Sequence, residues 1–204
     1  MHEFVEQLAK DERLRSLSFQ NVKVVPFLGT PGAIQSDSWN TTTYSNTLAT
    51  KVGNLLHCAS YNLSAPMYVE GTKEKELIES IDEIAKVLHM AETADIALIG
   101  IGSMQDDSSI IKAEIRTKEE YKELVRKGAV GEIVGRIYDK NGQTVDEDLK
   151  RKMVGISLDK IAKIPVRVGM SYGKDKIEAI KGAIAGGLVN VLVTDVPTAE
   201  LLLK

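Results

Sequence analysis

The chain has 204 residues, 43% hydrophobic and 27% charged, the proportions of one ordinary globular domain, which excludes disordered, collagenous and coiled-coil classes. Twenty-six Lys and Arg against 29 Asp and Glu give a formal charge of −3 with no long basic block; this argues against direct nucleic-acid binding by the chain, because phosphate recognition needs clustered positive charge. A single cysteine, Cys58, excludes an internal disulfide framework and a multi-cysteine zinc site, and fits a reducing compartment.

In chain order, residues 1–8 have neither the basic start nor the apolar core of a secretory signal, and no window approaches 18 uninterrupted apolar residues. A soluble, cytoplasmic protein is therefore expected. Phe4, Val5 and Leu8 already stand at helical spacing. Residues 22–27 form a strand-length apolar run, and Tyr44, Leu48, Val52, Leu55 and Leu56 form a helical stripe. Leu77, Ile78, Ile81, Ile84, Ala85 and Leu88 line one face of a single predicted helix. Residues 95–101 form the next apolar run. Residues 133–145 carry apolar residues on both sides of Asn141-Gly142, a strong hairpin signal. A strand at 165–169, a helix bearing Ile177, Ile180 and Ile184, a strand at 188–194 and a short helix at 197–203 with Pro near its start complete the order.

Strands alternating with helices predict an α/β fold, a Rossmann-like, doubly wound and mostly parallel sheet in one domain, with a β-hairpin inserted near 133–145. Near-continuous apolar runs suit strands covered on both faces.

Ligands of such sheets bind at the carboxyl ends of strands, where glycine-bearing turns bring backbone amides close. Three turns qualify: Leu28-Gly29-Thr30-Pro31-Gly32, Gly100 to Ser109, and Gly169 to Lys176. The third leads into a helix and carries Lys174 and Lys176, a combination that favours an anion. No complete dinucleotide or Walker pattern is present. Asp106, Asp107 and Asp195 fall at strand ends, where they could act as acid or base or merely cap turns and helices. His2, His57 and His89 have no metal-ligand spacing, so no metal is expected, and Cys58 reads as a buried structural thiol. Trp39 sits in a polar stretch, as a pocket lid, a subunit contact or a cover over the adjacent helix.

Four segments, 95–103, 128–142, 154–158 and 187–195, occur in the order seen in effector-binding domains of SorC/DeoR-type sugar-responsive bacterial regulators, which the chain resembles from about Val22 to its end. The resemblance implies a fold similar to glucosamine-6-phosphate deaminase, ribose-5-phosphate isomerase and CoA-transferases, used to sense a phosphorylated sugar without transforming it. It implies no cofactor. It puts a phosphate-contacting lysine at Lys176, a glycine-rich effector turn at Gly29, Thr30 and Gly32, and polar contacts at Tyr44, Asn46 and Ser103, with Gly102, Tyr172 and Gly173 beside them. Thr30-Pro31 replace the usual Gly-Leu, and Leu28 stands where some members carry an arginine. The family's helix-turn-helix, first strand and phosphate loop have no counterpart in residues 1–204, so DNA contact is expected only through a reader outside this chain, and a homodimer or homotetramer as the assembly. The alternative is a sugar-phosphate isomerase or deaminase on the same fold with Asp106, Asp107 or Asp195 as base.

Overall fold

A computed structural model describes residues 1–17, 19–31, 44–105 and 108–204. Chain order begins with α1 (His2–Leu8), a 3₁₀ turn (Glu12–Ser16), β1 (Lys23–Val24), α2 (Ser45–Leu56) and β2 (Ala59–Ser60). Then come α3 (Thr72–Glu79), α4 (Asp82–Glu92), β3 (Ile96–Gly100), β4 (Gly102–Ser103), α5 (Ser109–Lys112) and α6 (Lys118–Arg126). The remainder is β5 (Ala129–Ile133), β6 (Arg136–Asp139), α7 (Glu147–Lys152), α8 (Leu158–Ile161), β7 (Val166–Met170), a second 3₁₀ turn (Lys174–Lys176), α9 (Ile177–Ala185), β8 (Val191–Val193) and α10 (Val196–Leu202).

The architecture is mixed α/β with parallel pairing, as the apolar runs predict. Among the described residues, however, the strands form three small sheets and not one doubly wound sheet: β1-β2 parallel, β3-β7-β8 parallel, and β4-β5-β6 antiparallel. The main core lies on one face of β3-β7-β8. Ala97 and Ile99 point inward from β3 onto Ala179, Ile180 and Ala183 of α9 and onto Ile161 and Ile164, all fully buried or nearly so. Small residues on α9 let the helix lie close to the strands, so this helix forms by packing more than by propensity.

The predicted hairpin is displaced by one turn. Strands β5 and β6 are joined by Val134-Gly135, both at positive φ (50° and 67°), the conformation that matches the twist of paired strands. The Asn141-Gly142 turn closes a second, shorter loop with one bridge, Tyr138 to Thr144. Asp139 builds that loop: its Oδ1 accepts from the amides of Asn141 and Gln143, both at 2.9 Å. Gly142, at φ +73°, abuts Gly186 at the end of α9, where an added Cβ would stand 2.5 Å from the Gly186 Cα.

The single helix expected over Leu77–Leu88 is two. Ser80 Oγ donates to the Leu77 carbonyl at 2.7 Å, and Ile81 turns extended (φ −64°, ψ 122°) before α4 starts. The side-chain bond competes with helix continuation, and Leu77 and Ile81 are left exposed. The terminal helix forms as expected: Asp195 Oδ1 accepts from the Thr198 amide at 3.0 Å, with Pro197 in the first turn.

Candidate functional site

The turn after β3 runs directly into β4, which pairs antiparallel with β5 so that Gly102 lies opposite Glu132 and Ser103 opposite Gly131. This holds Ser103 at the carboxyl end of the parallel sheet. The turn after β7 delivers Ser171 to Lys176 to the same end: Ser171 Oγ donates to the Ile101 carbonyl at 3.0 Å, and the Gly173 amide donates to Thr198 Oγ1 at 2.8 Å. Lys176 Nζ then donates to Ser103 Oγ at 2.8 Å and lies 3.3 Å from Asp175 Oδ2. Two turns separated by some 70 residues thus meet through one hydroxyl and one ammonium.

Asp175 completes the group, its Oδ2 accepting from Ser103 Oγ at 3.3 Å. Desolvation pushes the Asp175 carboxyl upward, but the charge and hydrogen bond of Lys176, helped by Ser103, outweigh it and hold the group below its usual range. Beside them, buried Glu132 accepts from the Ser108 hydroxyl at 2.6 Å, and Ser108 Oγ in turn accepts from the Ile110 amide at 3.1 Å. The 3₁₀ turn Lys174–Lys176 runs straight into α9, with the Lys176 amide bonded to the Gly173 carbonyl and the Ile177 amide to the Lys174 carbonyl, so Lys176 sits at the positive end of the helix dipole. The arrangement suits an anion at Lys176 with hydroxyl-bearing chemistry alongside.

The other predicted residues gather elsewhere. Gly29 and Thr30 lie against residues 65–67: the Thr30 amide donates to the Ala65 carbonyl at 2.9 Å and the Met67 amide to the Thr30 carbonyl at 2.6 Å. A Cβ on Gly29 would stand 2.5 Å from the Pro66 carbonyl oxygen, so glycine there allows backbone to meet backbone. Asn46 clamps the start of the same segment, donating to the Leu63 carbonyl at 3.1 Å and accepting from its amide at 2.9 Å. Tyr44 precedes α2 as its N-cap. Tyr172 turns toward α1 and donates to Glu3 at 3.0 Å. Gly32, Trp39, Asp106 and Asp107 lie outside the described residues. Asp195, the remaining candidate base, is used as a helix cap.

Three features escape sequence reasoning. Glu132 and Ser108 are separated by 24 residues and carry no motif that pairs them. Arg136 is 3% exposed, donating to the Met153 and Gly155 carbonyls at 3.2 and 3.0 Å, and burial pushes its guanidinium down to about 10. Cys58 is partly exposed and not buried; desolvation still pushes its thiol up. No group of three His, Cys, Asp or Glu able to hold a metal occurs among the described residues, and none of their helices is long and apolar enough to cross a membrane. Cavities of about 140 and 190 Å³ lie away from Ser103 and Lys176, one beside Gln143, Lys150 and Asp159, the other among Leu8, Leu14 and Leu55.

Residues 6–204 match the Sugar-bind family, described as "Putative sugar-binding domain". The chain belongs to this family. It is 35% identical over 159 residues to the transcriptional regulator LsrR of Escherichia coli O9:H4, across 76% of this chain and 50% of that protein. Identity to LsrR of an Enterobacter species is 33% over 149 residues, 72% of this chain and 46% of the relative. This member thus spans about half the length of the curated relatives it matches. Among solved structures, the full-length sorbitol operon regulator SorC of Klebsiella pneumoniae superposes with a TM-score of 0.85 at 29% identity, over 98% of this chain and 63% of that one. The probable sor operon regulator of Shigella flexneri gives 0.83 at 26%, over 98% and 76%. These family relatives are named as regulators, which disfavours the enzyme reading.

Proposed function

We propose that the chain is the effector-sensing domain of a sugar-responsive transcriptional regulator and that its effector is a phosphorylated sugar. The observation that carries this reading is the 2.8 Å contact of Lys176 with Ser103, which joins two strand-end turns beside the N-terminal end of α9. Lys176 neutralises the phosphate, the backbone at Gly102 and Gly173 allows its close approach, and Ser103 donates to it. Glu132, a buried acceptor, takes a sugar hydroxyl. The family resemblance adds Gly29, Thr30, Gly32, Tyr44, Asn46 and Tyr172 to the effector-binding residues of one domain over residues 1–204. Fold-level kinship with glucosamine-6-phosphate deaminase and ribose-5-phosphate isomerase forms part of the same reading.

The net charge of −3 argues against DNA contact by this chain, so the operator is read by a separate helix-turn-helix, and a homodimer or homotetramer in the cytoplasm is the working unit. Effector binding shifts the equilibrium between two arrangements of that assembly, with a coupling free energy of about 1–3 kcal/mol. Titration calorimetry against a panel of sugar phosphates, their unphosphorylated counterparts and inorganic phosphate tests the reading. At least one sugar phosphate should bind roughly tenfold or more tightly than its unphosphorylated form; an equal response to both, or binding to neither, would overturn it.

A further inference from the structure

Ser108 and Glu132 are each 9% exposed, and the bond between them has a direction. Ser108 Oγ accepts from the Ile110 amide at 3.1 Å, and the hydroxyl's one hydrogen goes to Glu132 Oε2 at 2.6 Å. That length is the one expected of a hydroxyl on an ionised carboxylate, shorter than the about 2.7–2.8 Å usual between neutral oxygens. The order amide, hydroxyl, carboxylate fixes Glu132 as an acceptor. Gly102 lies opposite Glu132, and a Cβ added to Gly102 would stand 3.6 Å from the Glu132 Cβ, so the two share a face. Ser103, which holds Lys176 at 2.8 Å, points to the other face of the same strand end. Glycine at 102 leaves no side chain between them, so a ligand with its phosphate on Lys176 can pass the end of β4 and present its carbon chain to Glu132.

We propose that the Ser108–Glu132 pair selects the effector by its non-phosphate end, taking a phosphorylated sugar or polyol that offers a hydroxyl and rejecting a phosphorylated sugar acid of the same length. The inference rests on the effector reading above and narrows it. A hydroxyl donates to the Glu132 carboxylate. A ligand carboxylate at the same place has no hydrogen to give, and it sets a second negative charge against one that burial leaves poorly screened. Turning the ligand round gives no relief, since its phosphate would then meet Glu132. Ser108 is a positioning residue: it acts through Glu132, holding the carboxylate in one orientation from a residue 24 positions away.

Titration calorimetry on the whole chain compares sugar and polyol phosphates with phosphorylated sugar acids of the same carbon number, and uses inorganic phosphate as the probe of Lys176 alone. The tightest sugar or polyol phosphate should bind at least about tenfold more tightly than its acid counterpart. Glu132→Gln keeps the shape and adds an N–H donor for the acid, and should bring that ratio below about threefold. Ser108→Ala should weaken the sugar phosphate about three- to tenfold and narrow the ratio, with inorganic phosphate within about twofold of the wild type. Ser108→Thr, which keeps the hydroxyl, should restore both. A Ser108→Ala protein that loses inorganic phosphate and sugar phosphate alike would show a merely structural role and overturn the proposal. So would a wild-type ratio below about tenfold, an unchanged ratio in Glu132→Gln, a Ser108→Ala protein that binds as the wild type does, or a Ser108→Thr protein no better than Ser108→Ala. Failure of every phosphate compound to bind the wild type would instead overturn the effector reading, and this inference with it.

Discussion

Lys176 and Asp175 should respond in opposite directions when phosphate binding is measured. In the free protein the ammonium of Lys176 is engaged by Ser103 at 2.8 Å and by Asp175 at 3.3 Å, and its side chain is only 26% exposed. Removing it in Lys176→Ala deletes a charge-assisted contact to the ligand, about 1.5–3 kcal/mol, or roughly 10- to 150-fold in Kd. Asp175 competes with the ligand for the same ammonium. Its side chain is 51% exposed, so solvent screens the competition to about 0.2–1 kcal/mol, and Asp175→Asn should tighten binding by no more than about fivefold. Ser103→Ala should weaken binding, and a double-mutant cycle with Lys176→Ala should show coupling because the two groups are bonded. Calorimetry with the best sugar phosphate provides the numbers. A Lys176→Ala protein that binds within threefold of the wild type, or an Asp175→Asn protein that binds more weakly, would refute the assigned geometry.

Asp146 holds Arg116 in a two-pronged pair at 2.9 and 3.1 Å and caps α7 through the Leu149 amide at 2.9 Å. Asp146→Ala leaves Arg116 the half-exposed Asp148 as its carboxylate and the Ile115 carbonyl, so a loss of about 2–4 kcal/mol is expected; a denaturant midpoint unchanged within error would count against it. Tyr138→Phe removes the buried 2.9 Å bond to the Ala179 carbonyl that ties β6 to α9 and should cost about 1–2 kcal/mol by the same measurement. Gly142→Ala meets both an unfavourable φ and the Gly186 backbone and should cost about 2 kcal/mol or more; a neutral effect would mean that the turn and the end of α9 are not in contact. The Asp175 carboxyl titrates below its reference value of 3.8, so its contribution is complete above that pH and is lost as pH falls through the lower folded-state value. Carboxyl NMR should find its midpoint below 3.8, moving upward in Lys176→Ala; a midpoint at or above the reference value would contradict the contact.

The two strand-end turns that meet at Ser103 and Lys176 were legible because local pattern marks them: an apolar run, then glycine, then polar residues entering a helix. The α10 cap was legible for the same reason, since Asp195 and Pro197 act within one helical turn. Leu77 to Leu88 misled because hydrophobic spacing is blind to a side chain that bonds back to the chain, as Ser80 does. The Asn141-Gly142 signal points one turn past the hairpin because it is a strong local turn signal, whereas Val134 at φ 50° adopts a conformation that nothing in a valine advertises.

Neighbours a few residues apart are enough to specify the α/β alternation, the glycine turns, the caps and the lysine at the start of α9. Tertiary structure alone decided which distant groups meet. It set Ser108 on Glu132 and tied Asn46 to Leu63 instead of leaving its amide free. Those outcomes follow from strand order and register, where pairing one strand with another fixes every side-chain neighbour at once, and no local pattern carries that information.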